Sequence, residues 1–282
     1  FAISNDGYIW SWGDNTRWPS GNSLHFDNNV KYISAVARIC LWENSTAFLN
    51  ETDNTSSGSG DVSKGKTVSQ KLEMAINYCL NTLSGNTGIL IINNGENDGT
   101  VNGHASNYWD NFLFGYKEGY STIYFYNAVN QLISLEKLNG NISKADDYKN
   151  LLSKIHSQYD TNFWNPSTGR YIGCIDKNSK KYDLGFTFVN LEALAYGLGD
   201  KNKAISVFDW LDGRRTVSTD KSKGADIYNA FKIAPRATTV AVEEFSKPYW
   251  WNSLGNQIKP DAGANFGQHL ENGGAIFYTS FY

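Results

Sequence analysis

The sequence is poor in the residues that build metal sites and disulfide frameworks. It has three cysteines and four histidines among 282 residues, and no CxxC or His/Cys spacing predicts a zinc site. Cys40 and Cys79 lie in apolar helical contexts, where a free thiol behaves as a small hydrophobic group. We therefore expect buried free thiols, no metal ion and no other cofactor.

Charge of one sign and long apolar runs are also scarce. The formal net charge is −3. Binding to nucleic acid phosphates requires a basic field, so we expect no nucleic acid partner. No apolar run approaches the roughly 20 residues that cross a bilayer, so no membrane span is expected. The sequence also lacks GxGxxG and GxxxxGK[ST] motifs and an alternation of strands and helices, which excludes the common nucleotide-binding folds.

Aromatic residues are abundant instead. They make up 15% of the chain, with nine Trp, 17 Tyr and 15 Phe. A hydrophobic content of 40% with 19% charged residues is typical of a globular protein. The aromatic side chains either fill the core or form flat faces that stack on sugar rings or nucleobases.

Helical periodicity dominates the chain. Apolar residues recur at helical spacing and predict helices over residues 29–49, 67–83, 117–138, 141–163, 188–198 and 201–211, with a last helix beginning near Gly274. Residues 168–182 predict a β-hairpin with KNSKK as its turn, and GILIIN at 88–93 predicts a strand or a buried turn. Gly213 has the position of a glycine that ends a helix.

Several predicted helices follow a loop that combines aromatic residues, glycine and charge. The loops are GNSLHFDNN, GHASNYWDNFLFGYKEGY, KKYDLGFTFVN and GQHLENGGAIF. Aromatic side chains in loops are costly unless they are buried or bind a ligand. If alternate helices line an inner ring, these loops gather at one end of it and build one cleft.

This organisation resembles the six-hairpin glycosidases, a superfamily with an (α/α)6 barrel that includes glucoamylase, trehalase, α-rhamnosidase and cellobiose phosphorylase types. SNYWDN resembles the Trp-Asp segment that carries the general acid in trehalase-like members. HFDNNVKYISAVARICLW, YDLGFTFVNLEALAYGLG and HLENGGAIFYTSFY resemble barrel helices with their preceding loops in bacterial members. The resemblance implies a mainly α toroid with short β insertions, forming a single catalytic domain over residues 1–282. We count seven or eight helices rather than twelve, so we expect the barrel to be truncated at one or both ends.

The resemblance also implies hydrolysis of an oligo- or polysaccharide with inversion, which needs a general acid and a carboxylate base ~6.5–9.5 Å apart. Asp110 lies next to Trp109 and close to Phe112, and desolvation by such rings raises the pKa of an acid. We predict Asp110 as the general acid, with a helix cap or an ordinary loop carboxylate as the alternative. Glu271 precedes Asn272 and two glycines, and is our candidate base. Its alternative is a carboxylate favoured by a helix N-terminus.

Other carboxylates compete for these roles, namely Glu96, Asp98, Glu118, Glu243 and Glu244. Further residues are candidates for substrate binding: Trp10, His25, Asp27, Tyr108, Trp109, Lys117, Tyr182, Phe186, Arg236 and Trp250. Trp10 and Trp12 share one face of a predicted strand, as core residues or as a sugar platform. Arg236 either binds an anionic group or pairs with a carboxylate.

Three other functions stay open from the sequence. A phosphorylase on the same barrel replaces the base and water with phosphate, and the candidate loops hold few basic residues. A polysaccharide lyase or sugar epimerase, or a non-catalytic carbohydrate-binding domain, also fits a helical toroid with aromatic faces. A secreted or cell-surface location is slightly favoured over the cytoplasm, and the oligomeric state is left undetermined.

Overall fold

A computed structural model describes residues 2–10, 25–52, 54, 60–93, 98–100, 106–107 and 114–218. It also describes the backbone of two short strands at 240–241 and 269–270. The predicted strand position of Trp12 and the predicted helix near Gly274 lie outside these residues. The account below concerns the described residues alone.

Six α-helices occur in the described part of the chain, and they pack in consecutive pairs. They are α1 (Asp27–Trp42), α2 (Val68–Asn77), α3 (Gly119–Leu138), α4 (Ile142–Phe163), α5 (Thr187–Ala195) and α6 (Lys201–Leu211). Each odd-numbered helix packs on the even-numbered helix that follows it, and α3 also packs on α1 and α5. Helices α1, α3 and α5 therefore form an inner row, and α2, α4 and α6 an outer row.

The helix boundaries follow from local chemistry. Helix α1 buries Val30, Ile33, Ala37 and Cys40 at helical spacing, whereas Ile39 is 37% exposed. The predicted helix over residues 29–49 ends earlier, at Trp42, and a 3-10 turn follows at Ala47–Asn50. The predicted helix over 67–83 is α2, extended by a π-helical turn at Tyr78–Thr82.

Short antiparallel strands connect the helical pairs. Strands β1 (Ala2–Ile3) and β2 (Ile9–Trp10) form a hairpin. Strands β3 (Leu90–Ile92), β4 (Tyr116–Glu118), β7 (Cys174–Ile175) and β8 (Lys181–Tyr182) form a four-stranded sheet, and β5 (Trp164–Asn165) pairs with β6 (Arg170–Tyr171). Strand β9 (Val240–Ala241) pairs with β10 (His269–Leu270). The GILIIN segment is thus a strand, and the turn predicted at KNSKK joins β7 to β8.

The prediction of a mainly α fold, built from helical hairpins with short β insertions, is confirmed. The predicted hairpin over residues 168–182 is confirmed only in its second half. Strands β7 and β8 pair with each other, whereas β6 pairs with β5. Cys40 and Cys79 are buried free thiols as predicted, and so is Cys174. The glycine predicted to end α6, Gly213, has a φ of 73°.

Two further properties follow from the described residues. None of the described helices combines the length and apolar character that crossing a membrane requires. Within the same part of the chain, no group of three or more His, Cys, Asp or Glu side chains is arranged to hold a metal ion.

Candidate functional site

The starts of the inner helices α1 and α3 lie side by side. The Phe26 backbone N–H donates to the Ser106 carbonyl at 2.9 Å, which joins the loop before α1 to the loop before α3. The Lys31 ammonium lies over the rings of Tyr120 and Tyr124, 5.7 and 5.4 Å from their centroids. The first two turns of both helices therefore face each other at the same end of the inner row.

The start of α5 reaches the same place through aromatic contacts. Phe114, in the segment before β4, lies 5.1 Å from Phe186 and 6.2 Å from Phe188 between ring centroids. Tyr120 in the first turn of α3 packs edge-on against Phe188 at 5.9 Å. Three of the four loops that were predicted to converge therefore meet here, and of the fourth only the backbone of His269–Leu270 is described.

Charged and phenolic side chains from all three inner helices gather at this end. We call them the acid cluster: Asp27, Lys31, Glu118, Tyr120, Tyr124 and Glu192. Lys31 forms an ion pair with Asp27 at 2.5 Å, and the Tyr124 hydroxyl donates to Glu192 Oε1 at 3.0 Å. Burial raises the pKa of Tyr120 well above its usual value, and Glu192, Tyr124 and Asp27 raise it further. The charges of carboxylates on α1 and α5 thus both raise the pKa of the Tyr120 phenol.

Glu118 occupies the junction between strand β4 and helix α3. Its side chain caps the helix by accepting from the backbone N–H groups of Tyr120, at 3.1 Å, and Ser121. It also accepts from Asn107 Nδ2 at 2.9 Å. Burial raises the pKa of Glu118 to about 7 against the opposing effect of these hydrogen bonds, and the charge of Asp27 raises it slightly more. Glu118 therefore changes its charge near neutral pH.

The loop between Ser106 and Phe114 is closed at its base. Ser106 Oγ donates to the Phe114 carbonyl oxygen at 3.0 Å, and both residues are fully buried. Ser106, Asn107 and Phe114 are therefore fixed against the acid cluster. The residues between Asn107 and Phe114 lie outside the described part.

Lys31 and Tyr124 are the members of the acid cluster that stay partly exposed, and the carboxylates behind them are buried. Carboxylate oxygens accept hydrogen bonds from hydroxyl groups, and tyrosine rings offer flat faces with a polar edge. Lys31 keeps a 35% exposed side chain, so the cluster retains a polar approach. Glu118 is buried and accepts hydrogen bonds from Asn107, Tyr120 and Ser121. It therefore links the start of α3 to the segment before β4 in the protein interior.

Five of the predicted substrate-binding residues have described side chains. Asp27 belongs to the acid cluster, and His25 lies beside it with Nδ1 4.0 Å from Asp27 Oδ1. Phe186 packs under the start of α5. Lys117 lies on the opposite face of β4 from Glu118 and donates to Asn162 of α4 at 3.0 Å. Tyr182 is buried in β8, with Lys180 over its ring at 4.4 Å.

The register of the sheet separates the two strand residues. Lys117 lies on the opposite face of β4 from Glu118, because side chains of successive strand residues point to opposite faces. Tyr182 pairs with Cys174, which pairs with Glu118, so Tyr182 lies on the same face of the sheet as Glu118. Among the rival carboxylates, Asp98 accepts from the backbone N–H and hydroxyl of Thr100 within its own loop. The other predicted residues have no described side chain: Trp10, Tyr108, Trp109, Asp110, Arg236, Trp250 and Glu271, with the rivals Glu96, Glu243 and Glu244.

Sequence reasoning missed four members of the acid cluster. Glu192 is a single acid within the apolar run FVNLEALA, and a lone charge on a buried helix face is a signal of function. Lys31 follows Asp27 by four residues, the spacing of a helical ion pair. Tyr120 and Tyr124 have the same spacing, which also fits an ordinary core stripe.

Comparisons with known proteins give limited likeness. No protein-family model matches the sequence, and no curated protein matches it. Among solved structures, the chain is similar to a GH78 family rhamnosidase of Bacillus sp. GL1, at 14% identity and a TM-score of 0.41 over 52% of this chain. It is also similar to a rhamnosidase from Klebsiella oxytoca with rhamnose bound, at 10% identity and a TM-score of 0.47 over 73% of this chain. The matches span 15% and 34% of those two proteins.

Proposed function

We propose that this chain forms the catalytic domain of a glycoside hydrolase that cleaves an oligo- or polysaccharide with inversion of configuration. Asp110 donates a proton to the leaving oxygen, and Glu271 activates water on the opposite side of the sugar ring. The acid cluster forms the polar floor of the cleft, where the partly exposed Lys31 donates to sugar hydroxyls and the buried Asp27 and Glu192 hold Lys31 and Tyr124 in place. Residues 1–282 act as one domain in this proposal.

The observation that carries the proposal is the convergence of three loops on the acid cluster. These loops precede α1, α3 and α5, and one of them carries the Trp109-Asp110 pair. That loop begins at Asn107, bonded to Glu118, and ends at Phe114, packed against Phe186. In the sequence, Asp110 is the third residue after Asn107.

The chemistry of the surroundings also supports the proposal. A general acid has to keep its proton near neutral pH, and burial next to aromatic rings provides that. The same end of the protein already raises the pKa of one carboxyl, that of Glu118, to about 7. The phenol of Tyr124, which is partly exposed, is a ring of the kind that stacks on sugars.

The proposal is tested with a panel of oligosaccharides and aryl glycosides. We expect Asp110→Asn and Glu271→Gln to lower kcat by more than about 1,000-fold on the hydrolysed substrate, while sugar binding measured by calorimetry persists. Asp146→Asn is the matched control, because Asp146 is exposed on α4 and pairs with Lys149. Full activity of Asp110→Asn would reject the assignment of the acid.

The products distinguish the mechanism from its alternatives. Inversion predicts that the first product seen by proton NMR has the opposite anomeric configuration to the substrate. Cleavage that depends on added phosphate would identify a phosphorylase, and a product with ultraviolet absorption would identify a lyase. Sugar binding without release of any product would leave a carbohydrate-binding domain.

A further inference from the structure

Helix α1 exposes one continuous face that begins at the acid cluster. Lys31, Ala35, Arg38 and Trp42 follow one another at helical spacing, and none of the four is buried. We call these four residues the α1 strip. At a rise of about 1.5 Å per residue, the strip extends for about 16 Å along the inner row. It is therefore longer than a single sugar ring.

Two tyrosines of the other inner helices lie beside this strip. The ring centroid of Tyr124 is 5.4 Å from the Lys31 ammonium, and Tyr196 packs edge-on against Tyr124 at 5.8 Å. Burial raises the pKa of Tyr196, the charge of Glu192 raises it further, and the charge of Arg38 lowers it. Arg38 therefore lies within electrostatic range of Tyr196. The strip borders the same tyrosine pair at two points, Lys31 and Arg38.

The two cations of the strip differ in their partners. Lys31 forms an ion pair with the buried carboxylate of Asp27. Arg38 forms no ion pair with any residue that the structure describes, and its guanidinium lies 5.7 Å from the ring centroid of Trp42. Trp42 itself is 77% exposed. A guanidinium binds a carboxylate through two parallel hydrogen bonds, and an exposed indole offers a flat face to a sugar ring.

We infer that the α1 strip binds an acidic sugar unit, whose carboxylate pairs with Arg38 while its ring stacks on Trp42. The inference rests on the proposed function for the ligand being a glycan, and it names the substrate class as a glycan that contains uronic acid. Arg38 lies about 10 Å along the helix from Lys31, so the acidic unit is separate from the sugar ring at the acid cluster. Arg38 is thus a specificity-determining residue and takes no part in bond cleavage.

Calorimetry with matched pairs of oligosaccharides tests the inference. Each pair consists of an oligomer of galacturonic, glucuronic or mannuronic acid and its carboxyl-reduced derivative, in which CH₂OH replaces the carboxylate and every linkage is kept. We expect the wild type to bind the acidic member of at least one pair at least about tenfold more tightly than the reduced member at low salt. The preference should shrink in about 1 M salt, where the Debye length is about 3 Å.

Two variants separate the contribution of the charge from that of the ring. Arg38→Gln should weaken binding of the acidic member by at least about tenfold and binding of the reduced member by less than about twofold. Trp42→Ala should weaken both members of the pair by similar factors, because stacking does not depend on the carboxylate. Both side chains are exposed, so we expect both variants to keep the wild-type melting temperature.

Matched controls come from the exposed surface around α6. Arg214→Gln removes an arginine whose side chain is 64% exposed, and Phe208→Ala removes an aromatic ring that is 47% exposed. Neither substitution should change the binding of either oligosaccharide. An equal loss of acidic binding in Arg214→Gln and Arg38→Gln would show attraction to the overall charge of the protein, and would overturn the inference.

The remaining outcomes are also decisive. Equal binding of the acidic and the reduced member in every pair, or a preference that persists in Arg38→Gln, would refute an acidic-sugar site. Binding requires no turnover, so it is judged independently of hydrolysis. If the wild type binds the acidic member through Arg38 but cleaves no glycoside, the proposed function fails while this inference holds. If it cleaves a neutral glycoside and prefers no acidic member, the inference fails while the proposed function holds.

Discussion

Replacing Glu118 with Gln removes a titrating carboxyl from the start of α3 while keeping its size and one acceptor oxygen. The folded protein raises the pKa of this carboxyl from 4.5 to about 7, chiefly because the group is buried. The groups around it include Asp27 on α1, Cys174 on β7 and Tyr159 on α4. These residues are the same in the variant and the wild type, and burial keeps the Cys174 and Tyr159 protons in place between pH 4 and 8, so the comparison reports on Glu118.

The sign of the effect follows from proton binding. Between pH 4.5 and about 7 the unfolded chain has lost the Glu118 proton while the folded protein retains it. The free energy of unfolding of the wild type therefore falls as the pH rises through this interval, relative to the variant. Each pKa unit corresponds to about 1.4 kcal/mol, so the difference should reach about 3 kcal/mol by pH 7.5.

Chemical denaturation at a series of pH values from 4 to 8 measures this difference directly. The variant can be less stable than the wild type at pH 4, because its amide N–H₂ faces the Ser121 N–H and weakens the helix cap. The change in the difference with pH is the quantity to compare. A difference that is constant with pH, or one that moves in favour of the wild type as the pH rises, would show that hydrogen bonds to the carboxylate outweigh burial.

Four other substitutions test the packing around the site. Lys31→Ala should lower the free energy of unfolding by about 2 kcal/mol, because Asp27 stays buried without that cation; a loss under about 0.5 kcal/mol in urea denaturation would contradict this. Tyr171→Phe should cost about 1 kcal/mol, because its hydroxyl donates to Asp160 at 3.1 Å. Tyr159→Phe should cost less, because the buried Tyr159 hydroxyl has no hydrogen-bond partner among the described residues, and a reversed order in thermal denaturation would refute this. Gly119→Ala places a methyl group 2.5 Å from a backbone carbonyl oxygen, so we expect a loss of about 1–3 kcal/mol, and an unchanged melting temperature would contradict that clash.

The elements that sequence analysis predicted best are those with strong local signals. Residues 117–138 and 201–211 were predicted as helices, and the structure has Gly119–Leu138 and Lys201–Leu211. Periodic apolar residues and glycine stops act within one or two turns, so they can be read from neighbouring letters. The predicted C-terminal end of α1 was wrong, because the apolar residues after Trp42 belong to a separate 3-10 turn.

The candidate site was predicted less completely. Asp27 was selected for its place before a helix, and it joins the acid cluster. Glu192 was missed because the sequence around it reads as a buried helix face. Lys117 was selected as a basic residue near the loop, yet it contacts Asn162 on the outer helix α4. Whether a strand residue points to the cluster depends on the register between β4 and its neighbours, which single residues do not reveal.

The sequence by itself determined the class of fold, the buried thiols and the presence of aromatic, acidic loops before the inner helices, because these depend on composition and short-range periodicity. Only the tertiary structure decided that Asp27, Glu118 and Glu192 meet, since they are brought together by the packing of α1, α3 and α5. It also decided that Glu118 changes its charge near pH 7, because a pKa depends on how completely a carboxyl is removed from water and on which groups surround it.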